Sequence, residues 1–181
     1  MKKTLKLVAA PTAMQPGGYV PKAYAERSQP STPEAQLEVE RVGDIWRVRL
    51  GWQCPLAVND SSTDTNHFVD AAALLVPTLP DAPWITMGAP GKAVEGVLWR
   101  ADRESVLRMR AEGLGTMERG DAPDGWSVEA SWEAGHWSVV FDLRAWPALD
   151  RNGQLAFAIW RGAAGDRAGL KSVSPGWIAA A

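Results

Sequence analysis

Cysteine is almost absent from this chain of 181 residues, which contains a single one, Cys54. One thiol cannot form an internal disulfide, and it cannot supply the several cysteines that a zinc or iron–sulfur site requires. The C-x-x-C-H motif that attaches a c-type haem is also missing. Any cofactor must therefore be held by other side chains, without a thioether link to the polypeptide.

Long hydrophobic runs and an excess of either charge are missing as well. No apolar run approaches the roughly 20 residues that a membrane-spanning helix needs, and the opening MKKTLKLVAA reaches Pro11 too soon for an ordinary signal-peptide core. The 19 Lys and Arg residues nearly balance 21 Asp and Glu residues, which gives a formal net charge of −2. A chain without a broad basic surface binds a phosphate backbone poorly, so nucleic-acid binding is disfavoured.

Signatures of nucleotide binding or hydrolysis are not found. The segment Gly88–Ala93 (GAPGKA) has neither the spacing nor the hydroxyl residue of a phosphate-binding P-loop, and no G-x-S-x-G nucleophile motif occurs. The two histidines fall in different loops. We expect His136, next to Gly135 in a tight turn, to be exposed, whereas His67, which precedes a buried strand, is a weak candidate for a ligand.

Hydrophobic residues and tryptophan are what the chain does contain. Hydrophobic residues make up 46%, enough for the core of one domain, and ten tryptophans stand against three phenylalanines and two tyrosines. Tryptophan offers a large, flat apolar area, which suits both a packed core and a pocket for a flat ligand. We expect most of these tryptophans in the core or at an interface, where such side chains are common.

The first 34 residues differ from the rest of the chain. They contain five prolines and the Gly17-Gly18 pair, which disfavour regular elements longer than a few residues. We expect residues 1–34 to form an extended, Pro-rich arm that needs another surface to order it, such as a larger subunit. Residues 35–181 are expected to form one domain.

Residues 35–181 carry the alternation that is typical of β-strands. The turn pairs Gly43-Asp44 and Ala134-Gly135 each separate two alternating segments and predict antiparallel hairpins. The segment Asp102–Glu112 fits either a capped helix or a strand, and we favour a short helix. Further strands are predicted at Phe68–Pro77, Val94–Arg100 and Gln154–Trp160. Short strands separated by turns predict an all-β fold, mainly an antiparallel β-sandwich with a few short helices and long loops.

Six phrases occur in order along the chain: FVDAAALLVP, ITMG, VLWRAD, EGLGT, WEAGHWSVVF and LAFAIWRGAAGDRAGLKSVS. With these phrases the chain resembles the haem-b-binding γ subunits of the ethylbenzene dehydrogenase group, which includes dimethylsulfide dehydrogenase and selenate, chlorate and nitrate reductases. The resemblance extends from Leu37 to Ile178 and leaves the Pro-rich arm outside. It implies a β-sandwich fold.

The resemblance also implies one non-covalent haem b with two axial ligands, Met87 in ITMG and Lys171 in GLKSVS. Phe68, Trp99 and Trp160 are the further pocket residues that we expect. Two protein ligands leave the iron no open position, so such a haem transfers electrons and does not catalyse bond chemistry. Lysine must bind iron as a neutral amine, and lowering its pKa from about 10.4 to 7 corresponds to roughly 4–5 kcal/mol.

An electron-transfer subunit of this kind acts beside other chains. The resemblance implies a molybdopterin catalytic α subunit, an iron–sulfur β subunit and an external carrier such as a soluble cytochrome c. It implies a periplasmic location, whereas the missing signal sequence, taken at face value, implies a cytoplasmic one. Two alternatives stay open: a haem-free β-sandwich that binds carbohydrate or a protein partner, and a free-standing haem sensor or carrier.

The attachment of the haem gives a first testable prediction. Acid–organic extraction of the haem-loaded protein should remove all of the colour, because Cys54 is the only thiol and no C-x-x-C-H site exists. Pigment that stays with the denatured polypeptide would contradict the b-type assignment.

Overall fold

The computed structural model describes residues 1–11, 27–60, 62 and 64–180. Within these ranges the chain folds into two β-sheets that pack face to face around a common core. The strands are, in chain order, β1 (Lys2–Lys6), β2 (Val8–Ala9), β3 (Glu34–Val42), β4 (Ile45–Gln53), β5 (Ala71–Pro77), β6 (Val94–Arg100), β7 (Leu107–Ala111), β8 (Glu118–Asp121), β9 (Trp126–Glu133), β10 (His136–Arg144), β11 (Gln154–Trp160), β12 (Ser172–Val173) and β13 (Ile178–Ala179).

The two sheets are antiparallel throughout. The first sheet has the order β1-β3-β4-β10-β9, and the second has the order β2-β12-β11-β5-β6-β7-β8, with β13 also pairing to β11. A short helix, α1 (Pro147–Asn152), leads into β11. None of the helices in the described ranges is long and apolar enough to cross a membrane. The predicted all-β sandwich is confirmed.

Both predicted hairpins are confirmed. β3 and β4 meet at Gly43-Asp44, and β9 and β10 meet at Ala134-Gly135. Ala134 and Gly135 have φ values of +48° and +80°, the left-handed values that a two-residue hairpin turn requires. His136 begins β10 and is half-buried rather than exposed, because its ring lies against Gly51 of the neighbouring strand.

For Asp102–Glu112 the expected short helix is wrong. The strand β7 occupies Leu107–Ala111, and its backbone pairs with β6 on one side and β8 on the other. Leu107, Met109 and Ala111 face an apolar surface of the sheet and alternate with exposed arginines. The segment therefore gains backbone partners on two sides and a buried face for its alternate residues, which a helix at this place would lack.

The first residues of the chain belong to the sandwich itself. β1 pairs with β3 over five residues, and β2 pairs with β12. The sequence predicts no regular element of this length here, but the first proline, Pro11, follows both strands and so does not interrupt them. Residues 12–26 of the predicted arm lie outside the described residues, and the domain boundary at residue 34 stays a prediction.

Three tryptophans form the centre of the core between the sheets. Trp52, Trp99 and Trp137 are nearly fully buried, and their ring centroids lie 5.1–6.3 Å apart. Edge-on and stacked contacts of this kind add about 0.5–1.5 kcal/mol each to the effect of burial. The expectation that tryptophan serves mainly the core holds for this cluster.

Asp70, immediately before β5, is a buried carboxylate that joins separate segments. Its Oδ2 accepts hydrogen bonds from the Val58 backbone N–H and from Trp137 Nε1, both at 2.9 Å. Its Oδ1 accepts one from the Gly162 backbone N–H at 2.8 Å, and the Cys54 thiol donates a longer one of 3.5 Å to Oδ2. A buried charge is stable only when it is hydrogen-bonded, so these donors fix how the loops after β4 and β11 meet.

The Cys54 thiol should be unreactive in the folded protein. Burial, reinforced by the Asp70 carboxylate, raises the pKa of Cys54 to about 12, so almost no thiolate, the reactive form, exists at pH 8. Ellman's reagent should modify the native protein much more slowly than the chain in denaturant, where the pKa returns to about 8.5. Rapid stoichiometric labelling of the native protein at pH 8 would contradict this prediction.

Candidate functional site

A cavity lies on the outer face of the second sheet, the face turned away from the core. Alternate residues of four adjacent strands point toward it, because the side chains of a strand project to opposite faces. Alanines make up much of this surface, Ala71 and Ala73 on β5 and Ala158 on β11. On the same face of β6, Gly96 lies beside Leu75 and Met109. A Cβ at Gly96 would come within 2.6 Å of the Leu74 carbonyl oxygen. The result is a flat apolar floor.

Four loops contribute to the walls of this cavity, through residues 62 and 67–69, 78–93, 112–117 and 161–171. The cavity volume is about 1000 Å³, at the upper end of the roughly 300–1,000 Å³ that is usual for small-molecule and cofactor sites. Six residues line both its deep part and its open part, five of them mainly apolar: Met87, Met109, Leu114, Met117 and Trp160, with Lys171 as the sixth.

Met87 lies in a tightly constrained turn. Its φ is +57°, a left-handed value that costs a residue with a side chain about 1–2 kcal/mol. Its N–H donates to the Trp84 carbonyl oxygen at 3.1 Å, and its own carbonyl oxygen accepts from the Gly113 N–H at 3.0 Å. The next residue, Gly88, has a φ of +87° and no room for a Cβ. The thioether therefore lines the cavity from a backbone that is held in one conformation.

Lys171 immediately precedes β12 and is half-buried. Its Nζ lies over the Trp160 ring, 5.0 Å from the ring centroid, and Trp160 Nε1 donates to the Ala168 carbonyl oxygen at 3.0 Å. Burial, and then the charge of Arg119, lower the pKa of Lys171 to about 8. Among the described residues Lys171 forms no ion pair. An amine with this pKa loses its proton more easily than an ordinary lysine does, and the neutral amine is a nitrogen donor.

Most of the predicted pocket residues line this cavity: Met87, Lys171, Phe68 and Trp160. Trp99 does not line it. Its side chain projects from the opposite face of β6 into the tryptophan cluster of the core. Trp99 therefore supports the sheet beneath the cavity rather than the cavity wall.

The sequence does not predict two further methionines of the cavity, Met109 and Met117. Met109 is found once LRMRA is assigned to a strand, because it then shares a face with Leu107. No signal in the sequence marks Met117, whose place depends on how the loop after β7 folds back. His67, the weak candidate ligand, also lines the cavity, and its Nε2 lies 2.8 Å from the Asp60 carbonyl oxygen.

Arginines surround the mouth of the cavity. Arg100 donates two hydrogen bonds to Asp102, at 3.0 and 2.8 Å, and the Arg167 guanidinium lies 4.7 Å from the centroid of the Phe68 ring. Arg119 is exposed and has no ion pair within the described part of the chain. A cationic rim around an apolar cavity suits a flat apolar ligand with carboxylates at its edge.

The donor atoms of the cavity favour a metal that is carried by an organic ring over a bare ion. In the described ranges no group of three or more His, Cys, Asp or Glu side chains could hold a metal ion. Thioether sulfur is a soft donor that haem iron accepts, and a deprotonated amine is a harder nitrogen donor that can bind the same metal. Together with the flat floor and the cationic rim, these residues fit a haem.

Curated relatives of this chain come from three complexes, while no protein-family model matches it. A protein of Haloferax mediterranei named as a respiratory nitrate reductase haem subunit is 31% identical over 178 residues, covering 88% of this chain and 62% of that protein. The dimethylsulfide dehydrogenase γ subunit of Rhodovulum sulfidophilum is 30% identical over 168 residues, covering 81% and 60%. The chlorate reductase γ subunit of Ideonella dechloratans is 33% identical over 161 residues, covering 81% and 64%.

Solved structures on which this chain partly superposes include a family 9 carbohydrate-binding module from Caldicellulosiruptor kristjanssonii. Its complex with cellotriose superposes with a TM-score of 0.44 at 9% identity, covering 81% of this chain and 66% of that one. Its complex with glucose superposes with a TM-score of 0.44 at 12% identity, covering 86% of this chain and 78% of that one. A likeness of this extent supports no inference about function.

The names of the curated relatives match the group that the six sequence phrases resemble, and that resemblance is confirmed. This chain spans about three-fifths of the length of these relatives, between 60% and 64%. Over 81–88% of its own length it is similar to these γ and haem subunits.

Proposed function

We propose that this chain is an electron-transfer subunit that binds one non-covalent haem b in the cavity on the outer face of the second sheet. The observation that carries this proposal is that Met87 and Lys171, distant in sequence, line the same apolar cavity. The names of the homologous chains, one haem subunit and two γ subunits, support the same assignment.

Met87 and Lys171 would hold the haem iron through the thioether sulfur and the deprotonated amine. A haem held by them supplies one-electron transfer. The thioether sulfur of Met87 is a soft donor that favours reduced iron and raises the reduction potential. The Lys171 amine binds only after losing its proton, and burial has already moved its pKa from 10.5 to about 8. Deprotonation at pH 7 then costs about 1–2 kcal/mol, because one pKa unit corresponds to about 1.4 kcal/mol.

The other cavity residues hold and shield the ring. The floor of Ala71, Ala73 and Ala158 offers apolar contact and excludes water, while the rim arginines Arg100 and Arg119 would bind the haem carboxylates. With Met87 and Lys171 both binding the iron, no coordination site would be left for a substrate. The chain is thus a non-catalytic relay, and the substrate chemistry takes place in another subunit.

The partners follow from the same homology. The relatives named as γ subunits of dimethylsulfide dehydrogenase and chlorate reductase support a complex with a molybdopterin α subunit and an iron–sulfur β subunit. In this proposal the haem passes electrons between the iron–sulfur subunit and an external carrier such as a soluble cytochrome c. A periplasmic site of action forms part of the proposal.

Substitution of either proposed ligand should open one axial position. Met87→Ala removes the thioether and Lys171→Ala removes the amine, so the reduced haem of each variant should bind CO, which the six-coordinate wild type should not. Met87→Ala should also lower the midpoint potential, because the soft donor is lost. Visible, near-infrared and low-temperature EPR spectra report the ligand set.

Two control variants accompany this test. Met109→Leu changes another methionine of the cavity, and Lys92→Ala removes an exposed lysine that pairs with Asp81; both should keep the wild-type spectrum. An unchanged six-coordinate spectrum in Lys171→Ala would refute the lysine ligand and make His67 the next candidate. Absence of a Soret band from the haem-supplemented wild type would favour the haem-free binding module, and CO binding by the wild type would favour the haem sensor.

Arg119→Gln should weaken the binding of haem but not of its dimethyl ester, which lacks the carboxylates. An exposed charge pair of this kind is worth about a fivefold change in affinity and is screened by salt. Titrations followed at the Soret band, at low and high salt, measure both affinities. Arg108→Gln is the matched control, because Arg108 on β7 is similarly exposed but does not line the cavity. Equal losses for haem and ester would contradict the carboxylate contact.

A further inference from the structure

The backbone at Lys171 and at the next residue, Ser172, is held by N-terminal residues of the same chain. The Ala10 N–H donates a hydrogen bond to the Lys171 carbonyl oxygen at 3.0 Å. Ala9 is paired with Ser172 in the ladder between β2 and β12. From another side, the Thr32 N–H donates to Ser172 Oγ at 2.9 Å. The backbone of the proposed ligand is thus held by segments from the first 33 residues of the chain.

A second set of contacts converges on Asp166, which is 2% exposed. Its carboxylate accepts hydrogen bonds from Arg27 Nη1 at 2.6 Å and from the Arg161 N–H at 3.0 Å, and the Ser31 hydroxyl donates to it as well. Arg161 Nη1 donates in turn to the Ser31 carbonyl oxygen at 2.6 Å. Asp166 also lines the cavity, so it connects the N-terminal residues to the loop that carries Lys171.

The loop between β11 and β12 has little regular structure to hold it. It contains only a three-residue 3₁₀ helix at Gly162–Ala164 and one isolated bridge, between Arg167 and Leu170, and Ala168 within it has a left-handed φ of +47°. A lysine side chain has many rotamers, so it can serve as a reliable ligand only where its backbone is held in place. The hydrogen bonds from residues 7–10 and 27–33 supply that restraint to Lys171.

We propose that residues 7–10 and 27–33 form a strap that positions Lys171, and that Asp166 is the positioning residue on which the strap closes. The two parts of the strap are joined by a hydrogen bond of 2.8 Å from the Leu7 N–H to the Pro33 carbonyl oxygen. This proposal rests on the proposed function, since it explains how one haem ligand is held. Asp166 acts through the backbone of Lys171 and does not itself bind iron.

The test uses the full chain and compares four substitutions. Asp166→Asn removes the charge that pairs with Arg27, Ser31→Ala removes the hydroxyl, and Ser31→Thr keeps it. Asp142→Asn is the matched control, because Asp142 accepts two hydrogen bonds of 2.8 Å from Arg47 on the first sheet, away from the cavity. Circular dichroism and thermal unfolding establish that each variant is folded.

Two readouts report on Lys171. In the haem-free protein, mass spectrometry follows acylation of Lys171 by N-hydroxysuccinimidyl acetate, with exposed Lys92 as internal reference. In the haem-loaded, reduced protein, the Soret band follows CO binding. Asp166→Asn and Ser31→Ala should raise the acylation rate of Lys171 relative to Lys92 by about fivefold, the factor expected for the loss of one hydrogen bond. In the haem-loaded protein, the same two substitutions should allow the haem to bind CO. Ser31→Thr and Asp142→Asn should match the wild type.

The two readouts distinguish a failure of the strap proposal from a failure of the proposed function. Unchanged acylation of Lys171 together with no CO binding in Asp166→Asn and Ser31→Ala would overturn the strap. Faster acylation with a wild-type six-coordinate spectrum would also overturn the proposal, because the ligand would then be independent of the strap. If the wild type takes up no haem, the proposed function fails, and the acylation rates alone decide whether the strap holds Lys171.

Discussion

The buried carboxylate of Asp70 is the contact on which both the sandwich and its cavity depend. One of its oxygens is bonded to Trp137 of the first sheet, and the other to the Gly162 N–H, where the loop toward Lys171 begins. Gly162 cannot move aside or carry a side chain here, since a Cβ would lie 1.7 Å from the Phe68 carbonyl oxygen. Loss of this acceptor would leave buried donors unpaired, at about 1–3 kcal/mol each, and would separate the core from the loop that lines the site.

The sequence predicts those parts of the fold whose signals are local. The hairpins at Gly43-Asp44 and Ala134-Gly135 are predictable because turn chemistry and strand alternation lie within adjacent residues. The strand Leu107–Ala111 is not predictable in this way. A segment of five residues is too short to distinguish the helical period from the strand period, and the pairing with β6 and β8 decides between them. The pairing of residues 2–9 with strands distant in sequence leaves no local signal either.

The residues of the candidate site are also hard to predict from local sequence patterns. β6 is apolar on both faces, because the second sheet has the core on one side and the cavity on the other, so alternation alone cannot assign Trp99 to the core and Leu98 to the cavity. That Met87 and Lys171 line one cavity was predictable only through the family resemblance, and their role as ligands stays a prediction. By their chemistry alone they are an ordinary core methionine and an ordinary surface lysine.

The floor of alanine and glycine leaves the outer face of the second sheet with little apolar area of its own. A larger side chain at Ala73 or Ala158 would add contacts and fill space, and cavity-filling changes commonly stabilise a fold. A chain optimised for stability alone would therefore fill this cavity and leave no room for the proposed haem. The small side chains represent a trade-off between stability and function. The open cavity lowers the stability of the folded chain, and only the binding of a ligand would offset that loss.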